Sequence, residues 1–145
     1  MRIIRSEIRI NAPDDVVWKA LLASDAIPPE IGNAVHDMRI RQPFRVVMNS
    51  EGRNITLTVT ILAINPSRHM RWKGYLWAPG LFTGEHSFDI IEESRECSLL
   101  IQQETFSGIL VPFLSRTIDQ TEEQFGEANA AVKTLAEQEY ARSKP

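Results

Sequence analysis

The last third of the chain carries the only long, regular helical pattern in the sequence. From about Pro112 to Arg142, residues at steps of three and four form one stripe: Leu114, Ile118, Thr121, Phe125, Ala128, Val132, Leu135 and Glu139. Charged side chains occupy the opposite face. Such a helix is on the order of 40 Å long at about 1.5 Å per residue. We predict that a curved sheet covers it, because the rest of the chain is mostly strand-like.

The preceding sequence predicts one strand at residues 2–10, a helix that starts near Pro13, and at most a short helical turn after Pro28-Pro29. Further strand-like runs follow, with a turn at residues 50–52: Val35–Arg41, Phe44–Met48, Asn54–Ile64, His69–Trp77, Thr83–Glu92 and Glu96–Phe106. Short connections between successive strands favour an antiparallel meander. The predicted fold class is α+β, a helix-grip arrangement in which a curved antiparallel sheet of about seven strands wraps around the long C-terminal helix.

Length and composition favour one domain over residues 1–145, with 43% hydrophobic and 24% charged residues. The net charge is −3 and the basic residues are scattered, so we expect no nucleic-acid partner. Cys97 is the only cysteine, which excludes an internal disulfide and favours a cytoplasmic location. No apolar run has the length of a bilayer span or the character of a signal peptide, so integral membrane association is not expected.

Four segments resemble the START/polyketide-cyclase/pollen-allergen superfamily, often called SRPBCC. They are residues 10–21 (INAPDDVVWKAL), 84–88 (GEHSF), 104–108 (ETFSG) and the helical pattern Phe125, Asn129, Val132, Lys133. The resemblance implies a deep, largely apolar cavity between the sheet and the C-terminal helix. Members range from lipid carriers and hormone receptors to cyclases and dehydratases. Where many members carry Trp-x-Pro, this chain has Ile31-Gly32-Asn33, so we expect a differently shaped entrance on that side.

His86 and Glu104 are the candidate catalytic pair. The turn near Ser94-Arg95 folds their strands into a hairpin, in which facing residue numbers sum to about 189 or 190. An even sum places His86 and Glu104 on the same inner face, as a general base with its orienting acid. An odd sum turns Glu104 to solvent and makes Gln103 the partner. In the alternative without chemistry, His86 is a structural histidine and Glu104 is solvated.

The candidate ligand-binding residues are apolar, except for one amide: Trp72, Trp77, Phe82, Phe88, Phe106, Leu114, Ile118, Phe125 and Asn129. The aromatic residues fit an ordinary core equally well, and Trp77 fits either the core or a loop at the cavity mouth. Asn129 is as compatible with a link to the sheet as with a ligand contact. Gly74 and Gly84 lie inside strands, where a missing side chain leaves space or permits a bulge. We expect no metal site and no cofactor.

Two functions remain open at this stage, and a hydrophobic small molecule is the expected partner in both. The first is binding of a lipid, isoprenoid or aromatic polyketide-like compound in the cavity. The alternative is a polyketide cyclase or dehydratase that uses the His86 and Glu104 pair to move a proton. A chaperone-like domain is disfavoured by the clean two-faced strand patterns, and the sequence leaves a homodimer open.

Overall fold

The computed structural model describes residues 1–50 and 52–144. The elements in chain order are β1 (Arg2–Ile10), α1 (Asp14–Ala23), α2 (Pro29–His36), β2 (Phe44–Ser50), β3 (Arg53–Asn65), β4 (His69–Leu76), β5 (Phe82–Ser94), β6 (Cys97–Ser107), a 3-10 turn (Val111–Leu114) and α3 (Ser115–Ser143). The strands form one antiparallel sheet in the order β1-β6-β5-β4-β3-β2. The helix-grip fold is therefore confirmed, with six strands among the described residues where about seven were predicted.

The predicted strand at Val35–Arg41 was wrong. Residues Pro29–His36 form α2, and the chain then continues as turn and loop to β2. Pro29 occupies the first turn of this helix, where a proline costs no hydrogen bond and starts the helix. The buried residues of α2 are Ile31, Ala34 and Val35, which have helical spacing rather than strand alternation. The predicted turn at residues 50–52 includes Glu51, which lies outside the described residues.

Helix α3 lies along β1 and against α1. Its buried residues are Ile118, Phe125, Asn129, Val132 and Ala136. The predicted stripe was correct at Ile118, Phe125 and Val132, but Glu139 is exposed and Ala128 only half-buried. The buried face is thus rotated slightly, so that Asn129 points fully into the molecule. None of the described helices is long and apolar enough to cross a lipid bilayer.

The buried apolar side chains form two separate clusters. The large core joins α1 and α2 to the sheet and includes Val132 and Ala136 of α3. The small cluster lies at the other end of the sheet and consists of Ile4, Phe106, Val111, Ile118 and Phe125, with half-buried Phe82 packed against it. Helix α3 therefore packs its first half on the small cluster and its second half on the large core.

Polar side chains attach the second half of α3 to neighbouring backbone. Asn129 Nδ2 donates to Ser6 O at 3.3 Å, and Lys133 Nζ donates to Arg9 O at 2.9 Å. The backbone N–H of Asn11 donates to Glu137 Oε2 at 2.8 Å, and the same oxygen accepts a hydrogen bond from Lys133.

The end of α3 is attached to the β5–β6 turn. Tyr140 donates to Glu96 Oε1 at 2.6 Å, which raises the pKa of Tyr140 and lowers that of Glu96. At the first half of the helix, Arg2 bonds Asp119 and the carbonyl oxygen of Ser115.

We predict that Phe125→Ala lowers the free energy of unfolding by about 3 to 5 kcal/mol, because it removes a buried aromatic ring that is only 6% exposed. Urea denaturation of both proteins measures the loss. Glu123→Ala, at an exposed position two residues earlier on the same helix, is the control and should change stability by less than about 0.5 kcal/mol. A loss below about 1 kcal/mol in Phe125→Ala would show that this face of α3 is not packed as described.

We predict a pH-dependent cost for Glu137→Gln. Hydrogen bonds from Lys133 and then from the Asn11 backbone lower the pKa of Glu137. A carboxylate with a lowered pKa stabilises the fold above its ordinary pKa of 4.5, and this contribution is lost as the pH falls through the lowered value. The side chain is 31% exposed, so the cost at pH 7 should be only about 0.5 to 1 kcal/mol. Urea unfolding should show that the cost of Glu137→Gln decreases between about pH 5 and pH 3. A cost independent of pH would contradict the hydrogen bonds assigned to Glu137.

Candidate functional site

The register between β5 and β6 places His86 directly opposite Glu104. The numbers of facing residues add up to the even value from Thr83↔Ser107 to Glu92↔Ser98. An irregularity between Glu92 and Ser94 accommodates the extra residue of the turn. Both side chains therefore lie on the inner face of the sheet, together with Phe88, Leu100 and Gln102. Gln103, the alternative partner, lies on the other face.

His86 is enclosed by aromatic rings and is 8% exposed. Its imidazole stacks on Trp72 of the adjacent strand β4, with ring centroids 4.6 Å apart and an angle of 14° between the planes. Phe88 and Phe125 both have ring centroids 5.0 Å from the imidazole, and Phe125 reaches it from α3. The imidazole thus lies between the large core and the small cluster.

Both imidazole nitrogens face polar groups. Gln102 Nε2 lies 3.0 Å from His86 Nε2, and Glu104 Oε1 lies 3.6 Å from His86 Nδ1. Because an amide nitrogen can only donate, Nε2 of His86 accepts this hydrogen bond. The proton of a neutral imidazole is then on Nδ1, directed towards the Glu104 carboxylate, although 3.6 Å is longer than a formed hydrogen bond. We call His86, Gln102, Glu104 and Asn129 the polar layer.

The carboxylate of Glu104 lies over Gly84. A Cβ at Gly84 would collide with Glu104 Oε2, and Gly84 pairs with Gly74 on the adjacent strand. The space that the missing side chain leaves at Gly84 is therefore taken up by the carboxylate rather than left empty. With its side chain 16% exposed, Glu104 is the one member of the polar layer that is only half-buried.

Two oxygens of the polar layer are buried without a hydrogen-bond partner among residues 1–50 and 52–144. They are Gln102 Oε1 and Asn129 Oδ1. Gln102 is 2% exposed and Asn129 is 1% exposed. Buried polar atoms are nearly always paired in folded proteins, so two such oxygens in one layer need an explanation.

The structure divides the other predicted ligand-binding residues between the two clusters and the surface. Trp72 and Phe88 belong to the large core, whereas Phe106, Ile118 and Phe125 belong to the small cluster, with Phe82 stacked on Phe106 at 5.5 Å. Leu114 is half-buried in the 3-10 turn.

Trp77 lies apart from them, after the end of β4, with 71% of its surface exposed and a positive φ of 65°. It is not a core residue, and its contact with a ligand stays a prediction.

Gln102 was missed by the sequence analysis, although the sequence contains the signal for it. It lies two residues before Glu104, so any register that turns Glu104 inward also turns Gln102 inward. Only the residues directly across from His86 were predicted as its partners. Gln102 lies across from Phe88, and its side chain contacts His86 diagonally between the two strands.

Two clefts lie outside the polar layer. One of about 500 Å³ separates the segment 23–26 from residues of α3 between Gln124 and Leu135. The other, of about 520 Å³, borders α1 and α2. Neither is lined by any of the predicted site residues. In this conformation Phe125 covers His86 from the side of α3.

Solved structures with similar folds include three that cover nearly the whole chain. The protein TTHA0849 from Thermus thermophilus has a TM-score of 0.61 at 14% identity, covering 99% of this chain and 100% of its own. The Zhui aromatase/cyclase from Streptomyces sp. R1128 has a TM-score of 0.57 at 16% identity, covering 97% and 94%. Ara h 8.0201 has a TM-score of 0.61 at 14% identity, covering 93% and 97%. No family model and no curated protein matches the sequence.

We predict that Gly84→Ala is destabilising because its methyl group displaces the Glu104 carboxylate. Overpacking costs about 1 to 3 kcal/mol, and the cost here should lie at the lower end because the carboxylate is the far end of a flexible side chain that can shift. In a Glu104→Ala background the same change should cost much less, because the colliding oxygen is gone. A double-mutant cycle by urea denaturation measures this coupling. Gly74→Ala is the matched control, since its Cβ would meet Val59 at an ordinary 3.4 Å. Additive effects of Gly84→Ala and Glu104→Ala would contradict the described contact.

Proposed function

We propose that this chain, which has the helix-grip fold of the SRPBCC superfamily, binds a hydrophobic small molecule between the sheet and α3, with one end of the molecule at the polar layer. The observation that carries the proposal is the position of that layer. It lies between the large core on one side and the small cluster on the other. A ligand with a long apolar part and one polar end matches apolar clusters that adjoin a polar layer.

A purely structural role does not account for the layer. Replacing a buried ionisable pair by apolar side chains of similar volume is often neutral or stabilising, so packing alone gains nothing from His86 and Glu104. Hydrogen bonding alone does not explain it either, because two of the amide oxygens remain unpaired in the described residues. An unpaired buried polar atom in a folded protein needs an explanation, and contact with a ligand supplies one.

Access to the layer is expected beside Glu104, Gly84 and Phe82, which are all half-buried. A ligand that enters there must displace Phe125 from the imidazole or separate Phe82 from Phe106. The loops next to this end are joined, since the Ile109 N–H donates to Gly80 O at 3.1 Å.

Exposed apolar side chains of these loops form the rim of the proposed entrance. They are Trp77, Ile109 and Phe113, which are 71%, 68% and 81% exposed.

An acid–base enzyme of cyclase or dehydratase type is the second candidate. It is favoured by the shared inner face of His86 and Glu104, which is the arrangement of a base with an orienting carboxylate. Against it, the only lone pair of the neutral imidazole accepts the Gln102 amide hydrogen. His86 cannot take a proton from a substrate until Gln102 moves. Binding is therefore the preferred function, and the aromatase/cyclase named above shares only the fold at 16% identity.

Titration with the neutral dye N-phenyl-1-naphthylamine tests binding. We expect a saturable rise in fluorescence at one site per chain and a higher melting temperature, because the dye binds only the folded protein. Amide chemical shifts from NMR locate the dye, and the largest changes should fall on β5, β6 and α3 near Phe125. Changes confined to residues 23–26 and 127–131 would place the dye in the surface cleft and contradict the proposal.

We predict that His86→Gln separates the two functions. If the chain is a binding protein, this variant should bind the dye with an affinity within about tenfold of the original, because glutamine keeps some hydrogen bonding. If the chain is an enzyme, turnover of a polyketide-like β-ketone should collapse while binding survives.

The matched control is His69→Gln, on the outer face of the sheet, where His69 pairs with Asp89 at 2.7 Å. Turnover by the unaltered protein that is lost only in His86→Gln would replace binding by catalysis as the function.

A further inference from the structure

We infer that the ligand is a neutral molecule with a hydroxyl group, an alcohol or a phenol, whose single O–H hydrogen is shared between Gln102 Oε1 and Asn129 Oδ1. This inference rests on the proposed function and adds the chemical class of the ligand. It follows from the hydrogen-bonding capacity that the polar layer leaves unused and from the charges around it.

The two unpaired oxygens belong to amides whose nitrogen atoms already have partners. The nitrogen of Gln102 bonds His86, and the nitrogen of Asn129 bonds the backbone oxygen of Ser6. Within the described part of the chain, the atoms that remain without any partner at both amides are the acceptor oxygens. A ligand group that donates a hydrogen bond is therefore the complement.

Ser6 brings these two amides to one place. In the pairing of β1 with β6, Ser6 lies opposite Gln102. Asn129 contacts the same residue from α3. The two amides therefore approach one β1 residue from the sheet and from the helix, which is where a ligand between sheet and helix would end.

Charge excludes an anionic ligand group. The only ionisable groups in the layer are His86 and Glu104, and among the described residues no lysine or arginine is buried. Arg2, on the neighbouring part of β1, is bonded to Asp119 and to the carbonyl oxygen of Ser115. A carboxylate would meet the Glu104 carboxylate and two carbonyl-type oxygens without a buried cation to balance it. A fatty acid is thus a poor match, whereas an alcohol of the same length is a good one.

Two isomers provide the test: 1-decanol, which has a hydroxyl donor, and methyl nonyl ether, which has none. Both displace bound N-phenyl-1-naphthylamine in a competition titration of the full chain. We expect 1-decanol to bind about tenfold more tightly than the ether, because the ether leaves the buried oxygens unpaired. Decanoate should bind more weakly than the alcohol.

Variants locate the hydroxyl group. Gln102→Met and Asn129→Leu each remove one acceptor at nearly constant volume and should reduce the preference for the alcohol to about threefold or less. Gln103→Met is the matched control, because Gln103 is adjacent in sequence but lies on the outer face of the sheet, and it should leave the preference unchanged. Melting temperatures verify that each variant is folded. Asn129→Leu also removes the bond to Ser6, and Gln102→Met also removes the bond to His86, so the inference requires that both variants lower the preference.

The possible outcomes distinguish this inference from the proposed function. If the dye does not bind between sheet and helix, the proposed function fails. If the dye binds but alcohol and ether displace it equally, as they would if water satisfied the two oxygens, only the inference fails. It also fails if decanoate or decylamine binds more tightly than 1-decanol, or if Gln102→Met or Asn129→Leu retains the full preference.

Discussion

The register between β5 and β6 is the constraint on which the candidate site depends. Successive side chains of a strand alternate between faces, so a shift of one residue would move His86 relative to Gln102 and Glu104 and turn one of the two strands' sets away from the interior. The irregularity between Glu92 and Ser94 fixes the even pairing that continues to Gly84. The same pairing puts the Glu104 carboxylate over Gly84, where no side chain competes for the space. The polar layer is thus a consequence of hairpin geometry as much as of residue type.

The polar layer divides an interior that would otherwise be one continuous apolar core. Each amide in it makes one hydrogen bond within the protein and leaves one oxygen unpaired among the described residues. Leaving such atoms unpaired costs about 1 to 3 kcal/mol each, which a domain of ordinary stability tolerates only when something else is gained. Aromatic rings from β4, β5 and α3 enclose the imidazole that Gln102 contacts. The same enclosure gives a bound polar group strong interactions.

The sequence predicted element type and burial where one side-chain period runs through a whole segment. It did not predict features that depend on a single residue. Strand-like patterns predicted β1 at residues 2–10, and helical spacing predicted the burial of Ile118, Phe125 and Val132. The orientation of Glu104 depended on the number of residues in one turn, which sequence alone left open. The segment Val35–Arg41 was assigned to a strand, and Pro28-Pro29 was expected to allow at most a short helical turn, whereas Pro29 begins the eight-residue helix α2. The filling of the space at Gly84 also escaped prediction, because it depends on a side chain that is distant in sequence.

The uneven attachment of α3 gives the two halves of this helix different local stabilities. Its second half packs on the large core and is bonded to the backbone at Ser6, Arg9 and Asn11. Its first half has the small cluster and the exposed Arg2–Asp119 pair, which salt weakens. The first half of α3 therefore has fewer attachments to lose in a local opening than the second half. Phe125 belongs to this first half, so an opening confined to it would uncover the imidazole while the sheet stays folded.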